Sequence, residues 1–212
     1  MLFNNHFKQQ FDHSVMECNA CKFKDSPGPV LGYGGVNAEV MFVGDVAKES
    51  DIAAGIPFTG IAKKRMTDVI EATGLKKGEY YLTYLIKHTL PKGTNLNMME
   101  SQPCLDHLLR EIELLNPRII CSMGYFATKY LMQAYNIENK NKSMNDIHGT
   151  GCLVPAKASY KTKYKKNVAY RPKRYLIPTW SPAVDNSLMN RQMMKDVKTV
   201  KDVLSFNKLL LN

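Results

Sequence analysis

Short apolar runs alternate along this chain with longer stretches of helical spacing. The apolar runs predict buried strands over residues 39–43, 80–86, 118–122 and 175–178. Apolar residues that recur every three or four positions predict amphipathic helices over residues 62–73, 104–115, 125–135 and 190–204. Gly74 and Pro117 follow two of these stretches and are typical of helix ends.

This alternation indicates a parallel sheet, because two neighbouring parallel strands need a crossover connection between them. We therefore expect an α/β fold with a mostly parallel central sheet of about four strands and helices on both faces. The 212 residues contain no visible repeat and no dividing linker. Since this length suits one domain, residues 1–212 are expected to form a single one.

Positive charge dominates the sequence and is concentrated in one segment. Lys and Arg number 29 against 19 Asp and Glu, and the net charge of +10 favours a polyanionic partner. Residues 156–174, hereafter the basic segment, contain eight basic side chains, interleaved tyrosines and no acidic residue. We interpret the basic segment as an insertion into the domain.

The composition of the basic segment is typical of nucleic-acid binding. Lysines and arginines contact phosphates while tyrosines stack on bases, which predicts binding of single-stranded DNA or of a duplex with a flipped base. The alternative is a solvated hairpin or loop without a partner. The candidate DNA-binding residues are Lys157, Lys161, Lys163, Tyr164, Lys165, Lys166, Arg171, Lys173 and Arg174.

The chain also lacks the signals of export. No apolar run approaches the roughly 20 residues that a membrane helix requires, and residues 1–14 lack the apolar stretch of a secretory signal. We expect a cytoplasmic monomer without a membrane partner, associated with the nucleoid if the host is bacterial. Five cysteines in such a protein indicate metal ligands or core residues rather than disulfides.

The four candidate metal ligands come from three separate parts of the sequence. Cys18 and Cys21 form a Cys-x-x-Cys pair, which lets two thiolates bind one ion from a tight turn. His88 follows the second predicted strand, and Cys104 begins the second predicted helix. Three thiolates and an imidazole would complete a tetrahedral site for zinc or, less commonly, for an iron–sulfur cluster. Unrelated core and surface residues are the alternative.

Five ungapped motifs carry a resemblance to a known family. They are Val43-Gly-Asp-Val-Ala-Lys48, Gly55-Ile-Pro-Phe-Thr-Gly60, Thr83-Tyr-Leu-Ile-Lys-His88, the run from Pro117 to Ala127, and Pro178-Thr-Trp-Ser-Pro-Ala183. In this order, after a Cys-x-x-Cys pair, they resemble the iron–sulfur (family 4) uracil-DNA glycosylases. The resemblance implies a three-layer glycosylase fold, DNA as partner, and a four-iron four-sulfur cluster at the candidate metal ligands. One Cys-to-His change, at His88, leaves zinc as the other option.

The resemblance also implies roles for individual residues. In the family, the acid of the first motif helps to position water and the phenylalanine of the second motif stacks on the flipped base. An asparagine reads the edge of uracil, and a histidine stabilises the departing uracil anion. These positions are Asp45, Phe58, Tyr84 and Ser181 here, so two of the four have changed. The implied base pocket comprises Gly44, Val46, Phe58 and Tyr84.

The two changed positions bear on activity. A fixed donor at the developing anion is worth roughly 3–4 kcal/mol, and Ser181 is short and uncharged. Tyr84 cannot pair with uracil as an amide does. We therefore expect a DNA-binding protein without efficient uracil excision. The alternatives are an active monofunctional glycosylase for uracil or another deaminated base, and an adaptor that contacts replication or repair proteins.

Simpler interpretations of the site residues also remain open at this point. Asp45 could cap the loop that follows its strand, as aspartates commonly do. Phe58 could be a core residue, since phenylalanine is usually buried. Tyr84 could fill the pocket or turn away from it.

Overall fold

The computed structural model describes residues 2–94, 97–138, 142–155 and 174–209. Within these residues, six strands form one sheet in the order β1-β3-β2-β4-β6-β5. The four inner strands are parallel, whereas the edge strands β1 and β5 are antiparallel to their neighbours. The strands are β1 (Tyr33–Gly34), β2 (Val40–Val46), β3 (Tyr80–Ile86), β4 (Ile119–Met123), β5 (Cys152–Val154) and β6 (Arg174–Thr179).

Helices cover both faces of this sheet. One apolar layer contains side chains of α4 and α5, and the other contains side chains of α3 and α7. The predicted α/β class and the two helical layers are therefore confirmed. The helices are α1 (Leu2–Met16), α2 (Glu49–Ala54), α3 (Ile61–Thr73), α4 (Met98–Leu115), α5 (Tyr125–Ala134), α6 (Met144–Ile147) and α7 (Ser187–Leu209). None of them is long and apolar enough to cross a membrane.

Some elements differ from the expectation. The sheet has two strands more than the expected four or so. Strands β1 and β5 are only two and three residues long, which is too short for a recognisable strand pattern. Helix α1 has a mostly polar sequence. It packs against α4, and its residues Phe11 and Val15 are buried. Helix α4 begins before residue 104 because the Asn97 side chain accepts the Glu100 N–H at 2.9 Å and caps it.

The topology places the candidate site at one edge of the sheet. Parallel strands β2, β3, β4 and β6 all end at this edge, where ligands of open α/β sheets usually bind. The basic segment is attached at the opposite end of the parallel strands, between the end of β5 at Val154 and the start of β6. Residues 156–173 of that segment lie outside the described residues.

Candidate functional site

A cavity of about 260 Å³ lies at the carboxyl edge of the sheet. Its walls come from β2, from the loop before α3, from β3, from α5 and from the loop after β6. All the pocket and catalytic residues predicted from the sequence line it. The lining residues are Gly44, Asp45, Val46, Lys48, Phe58, Tyr84, Phe126, Ser181, Ala183 and Val184.

Two aromatic rings form one wall of this cavity. The Phe58 and Tyr84 rings lie 4.8 Å apart between centroids, at an angle of 34°, and their residues are 4% and 5% exposed. A Cβ atom at Gly44 would lie 2.6 Å from the Tyr84 ring, so only glycine leaves room for it. Tyr84 therefore points into the pocket and fills the space beside the stacking face of Phe58.

The Tyr84 hydroxyl is held by two hydrogen bonds. It donates to Asp51 Oδ2 at 2.9 Å and accepts the Phe58 N–H at 3.0 Å. Phe58 itself has a φ of 59°, an uncommon conformation for a side chain of this size. Burial and the nearby Asp51 carboxylate raise the pKa of Tyr84, so the hydroxyl stays protonated and keeps its donor role.

Asp51 is the centre of this network, although no sequence pattern singles it out. The residue is 1% exposed and lies in the short helix α2. Besides Tyr84, its carboxylate accepts the Lys48 N–H at 2.8 Å and both the N–H and the hydroxyl of Thr59, at 2.7 and 2.6 Å. These bonds fix the loop that carries Phe58 against β3.

Asp45 caps a helix that is distant in sequence. Its Oδ1 accepts the Ala127 N–H at 2.8 Å, at the start of α5. Gly124 precedes that helix, and a Cβ there would collide with the Asp45 carboxylate. Burial raises the pKa of Asp45 to about 6, although the amides of the helix start favour its charged form. Asp45 is thus a capping residue, but it caps α5 and not the loop that follows its own strand.

Ser181 lies in the opposite wall. Its Oγ accepts the Ala183 N–H at 3.3 Å, so the hydroxyl closes a local turn. Arg65 of α3 fixes the same loop by donating to the carbonyls of Pro182 and Val184 at 2.9 and 2.8 Å. The wall is therefore well anchored, but it presents a neutral hydroxyl where the family has an imidazole.

The four candidate metal ligands belong to segments that contact one another. The loop after α1 meets the end of β3, where the Val30 N–H donates to the Lys87 carbonyl at 2.8 Å and His88 Nδ1 lies 3.4 Å from the Ser26 carbonyl. Burial above all, followed by the neighbouring Cys21 thiol, raises the pKa of Cys104 to about 12. All four cysteine and histidine donors therefore approach one corner of the domain.

These donors do not, however, form a finished metal site. Across the described ranges, no three side chains of His, Cys, Asp or Glu are grouped so as to hold an ion. None of the three cysteines is in a disulfide. The donor types suit zinc or a cluster, but their arrangement does not by itself demonstrate either.

One candidate DNA-binding residue has a structural role instead. Arg174 is 1% exposed, and its guanidinium donates to the Ile112 carbonyl at 3.4 Å and to Asn116 Oδ1 at 3.0 Å. The expectation that Arg174 contacts nucleic acid is therefore wrong, because this cation is buried against the carboxyl end of α4. The other candidates are outside the described residues: Lys157, Lys161, Lys163, Tyr164, Lys165, Lys166, Arg171 and Lys173.

Comparisons with known proteins agree with this architecture. A family model described as the uracil DNA glycosylase superfamily matches residues 31–205. The type-4 uracil-DNA glycosylase of Saccharolobus solfataricus is 30% identical over 202 residues, covering 93% of this chain and 87% of that protein. The Sulfurisphaera tokodaii enzyme of the same name is 28% identical over 92% of this chain and 84% of its own length.

A third relative matches a shorter stretch. The type-4 uracil-DNA glycosylase of Archaeoglobus fulgidus is 30% identical over 125 residues, covering 58% of this chain and 63% of that protein. The family match extends from the loop before β1 into α7, and so includes every strand of the sheet. The chain belongs to the uracil-DNA glycosylase superfamily.

Proposed function

We propose that this protein binds DNA on a uracil-DNA glycosylase scaffold and does not excise uracil efficiently. The observation that carries the proposal is the position of Tyr84. Its ring lies 4.8 Å from the Phe58 ring, and its hydroxyl accepts the Phe58 N–H. A flipped uracil that stacks on the face of Phe58 next to Tyr84 would have to displace this buried side chain.

Displacing Tyr84 would be costly. The Tyr84 hydroxyl would lose both hydrogen bonds. The Phe58 N–H would then lack this acceptor, and the buried Asp51 carboxylate would have one donor fewer. An unsatisfied buried polar group costs about 1–3 kcal/mol, and more when it is charged. The snug pocket that base-flipping enzymes need is therefore partly occupied by the chain's own side chain.

The remaining polar groups offer little compensation. Ser181 is uncharged and its oxygen accepts a backbone N–H. The Asp45 carboxylate bonds to the start of α5. Since position 84 lacks the amide and position 181 lacks the imidazole that the family resemblance implies, the rate should fall on the order of a thousandfold or more.

DNA binding is supported by charge. The protein carries a net charge of +10, and the basic segment contributes eight of its cations. The relatives named above are uracil-DNA glycosylases. Since phosphate contacts are independent of base chemistry, affinity for a strand can persist after excision is lost.

An active glycosylase with another base preference is the second candidate. The observation in its favour is that a cavity of about 260 Å³ persists beside Tyr84, with a carboxyl group whose pKa is raised to about 6 at its wall. Perturbed carboxyl groups in clefts are candidate functional groups. In this alternative, Asp45 orients water and Tyr84 or Ser181 contacts a base other than uracil.

An excision assay separates the two candidates. The substrates are single-stranded and duplex oligonucleotides carrying uracil, hypoxanthine or xanthine, and the readout is cleavage at the abasic product. We expect no release above that of Asp45→Asn, together with measurable binding of the same strands. Turnover of any of these substrates that disappears in Asp45→Asn would establish the glycosylase instead.

A Tyr84→Asn variant tests the occlusion directly. It removes the ring and supplies the amide found at this position in the family, so selective binding of a uracil-containing strand over the matched thymine strand should appear. Tyr33→Asn is the control, because Tyr33 is an exposed tyrosine on the edge strand β1. Equal preferences in Tyr84→Asn and wild type would contradict the occlusion.

The proposal also includes a bound metal. The donors would be Cys18, Cys21, His88 and Cys104, whose segments meet at one corner, and the metal would stabilise the attachment of the N-terminal loop to β3 and α4. We expect anaerobically purified protein to contain either zinc or iron with sulfide, measured by elemental analysis and visible absorption. Protein that contains neither would remove this part of the proposal.

A further inference from the structure

A second and larger cavity adjoins the candidate base pocket. Its volume is about 630 Å³, against about 260 Å³ for the pocket that Tyr84 partly fills. Val46, Lys48 and Phe126 line both cavities, so the two share one wall. We call the larger cavity the side groove. Pockets that hold small organic ligands commonly measure about 300–1,000 Å³, which puts the side groove in that range.

The side groove combines an aromatic ring, a cation and several hydroxyl groups. Phe126 provides the ring, and Lys48, which is exposed, provides the cation. The hydroxyl groups belong to Ser50, Thr89 and Thr94. An aromatic face for stacking, a cation for phosphate and hydroxyls for polar edges are together the groups that bind a nucleotide of a single strand.

The ring is held in place by its neighbours. Phe126 makes edge-to-face contacts with Tyr125 and Tyr130, with centroid distances of 5.4 and 6.2 Å. Tyr125 is itself 45% exposed, and the Lys129 ammonium lies 5.4 Å from its centroid. An exposed aromatic residue beside a second cation therefore lies next to the half-buried Phe126.

We propose that the side groove binds one nucleotide of single-stranded DNA, with the base against Phe126 and a backbone phosphate near Lys48. This inference rests on the proposed DNA-binding function and gives it a second site beside the candidate base pocket, with which it shares Val46, Lys48 and Phe126. The site is open to a base although the neighbouring pocket contains the Tyr84 ring.

The charge of the side groove favours a strand over a free nucleotide. Glu49 lines the groove next to Lys48, so its carboxylate would repel a ligand that carries two or more negative charges. A phosphodiester brings a single charge per nucleotide, so Glu49 repels it less. A nucleoside mono- or triphosphate would bring more negative charge than the groove can neutralise.

Photo-crosslinking with a single-stranded oligothymidylate of about 15 nucleotides, carrying one 5-iododeoxyuridine, tests the inference. Peptide mapping should find the crosslink in the peptide that contains Phe126. Thr94→Trp should fill the half-buried groove wall and lower that crosslink roughly tenfold, as loss of one stacked base would. Thr67→Trp, at an exposed position on α3, should leave it unchanged.

A second variant removes the proposed phosphate contact and leaves the Phe126 ring in place. Lys48→Ala should weaken binding of the same oligonucleotide and reduce the slope of log affinity against log salt by about 0.7, the value for one phosphate contact on a single strand. Lys198→Ala, at an exposed position on α7, is the control and should not change the slope.

The possible results separate this inference from the function on which it rests. Strand binding with crosslinks only outside the side groove, at equal yield in Thr94→Trp and wild type, would overturn the inference and leave DNA binding in place. Failure of wild-type protein to bind the strand at low salt would overturn both. A free thymidine monophosphate that competes as well as the strand would refute the argument from charge.

Discussion

At residue 84 a tyrosine stands where the family resemblance implies an asparagine, and several neighbouring residues hold it. Gly44 leaves room for the Tyr84 ring, Asp51 accepts a hydrogen bond from the Tyr84 hydroxyl, and the Phe58 N–H donates to the hydroxyl oxygen. Several partners therefore depend on the one substitution. This coupling holds the Tyr84 ring beside Phe58 in the wall of the cavity of about 260 Å³.

Asp45 makes a pH-dependent contribution at the same scale. Its pKa rises from 3.8 to about 6 on folding, so the folded protein binds an additional proton between these values. The stabilising effect of that proton is fully present below pH 4 and is lost as the pH rises towards 6. Relative to Asp45→Asn, the wild type should lose about 1–3 kcal/mol of unfolding free energy over this range.

Urea unfolding of both proteins at pH 4, 5, 6 and 7 measures this difference. Asn keeps an oxygen that can accept the Ala127 N–H, so the variant should still cap α5 and remain folded. A free-energy difference between the two proteins that stays constant from pH 4 to pH 7 would contradict the raised pKa of Asp45.

At the scale of elements, a buried ion pair joins the residue that follows β3 to α4. Lys87 Nζ lies 2.8 Å from Glu111 Oε2, and both side chains are almost fully buried. Tyr81 donates to the other Glu111 oxygen at 2.7 Å, and Thr83 donates to Oε2 at 2.8 Å. Although burial opposes ionisation, the Lys87 charge holds the pKa of Glu111 below its usual value.

Breaking this pair should be strongly destabilising. Glu111→Gln leaves the Lys87 ammonium buried without a counter-charge, which should cost about 3–5 kcal/mol of unfolding free energy in urea titrations. Glu71→Gln, at an exposed position on α3, should change it by less than about 0.5 kcal/mol. The double variant Lys87→Met, Glu111→Leu should be more stable than Glu111→Gln, because no buried charge remains unpaired. A Glu111→Gln protein as stable as wild type would show that the ion pair does not join β3 to α4.

At the scale of the whole molecule, the basic segment is attached far from the candidate pocket. The candidate pocket lies at the carboxyl edge of the parallel strands, whereas the basic segment is attached at the opposite edge, where β6 begins. Strand β6 contains six residues, and a strand rises roughly 3.3 Å per residue. The points of attachment therefore lie well away from the pocket, and the basic segment need not share its ligand.

Changing Lys163, Lys165 and Lys166 together to Ala should weaken binding of single-stranded DNA. The loss of three phosphate contacts should also reduce the salt slope by about 2. The matched control changes three exposed lysines of α7: Lys195, Lys198 and Lys201. Gel-shift titrations at several salt concentrations give both quantities, and equal effects in the two triple variants would mean that only net charge matters.

Much of the site could be predicted because its residues belong to motifs with characteristic local spacing. Asp45 follows a buried strand, and Phe58 lies in a Gly-x-Pro-Phe-x-Gly turn. Asp51 could not be predicted, since its partner Tyr84 is 33 residues away and its neighbours form no recognisable pattern. Arg174 was wrongly expected to bind DNA because it is the last residue of the basic segment. Its burial depends on α4, which lies far earlier in the chain.

Periodicity was sufficient for the fold class and the inner strands, because these features depend on neighbours a few positions apart. The pocket residues were identified through the motifs that carry the family resemblance. Folding alone decided that Tyr84 turns into the pocket and bonds to Asp51, and that Asp45 caps α5. It also decided that the candidate metal donors meet without forming a completed group in the described part of the chain. Such outcomes depend on contacts between distant segments, and no local pattern encodes the distance or orientation at which two segments meet.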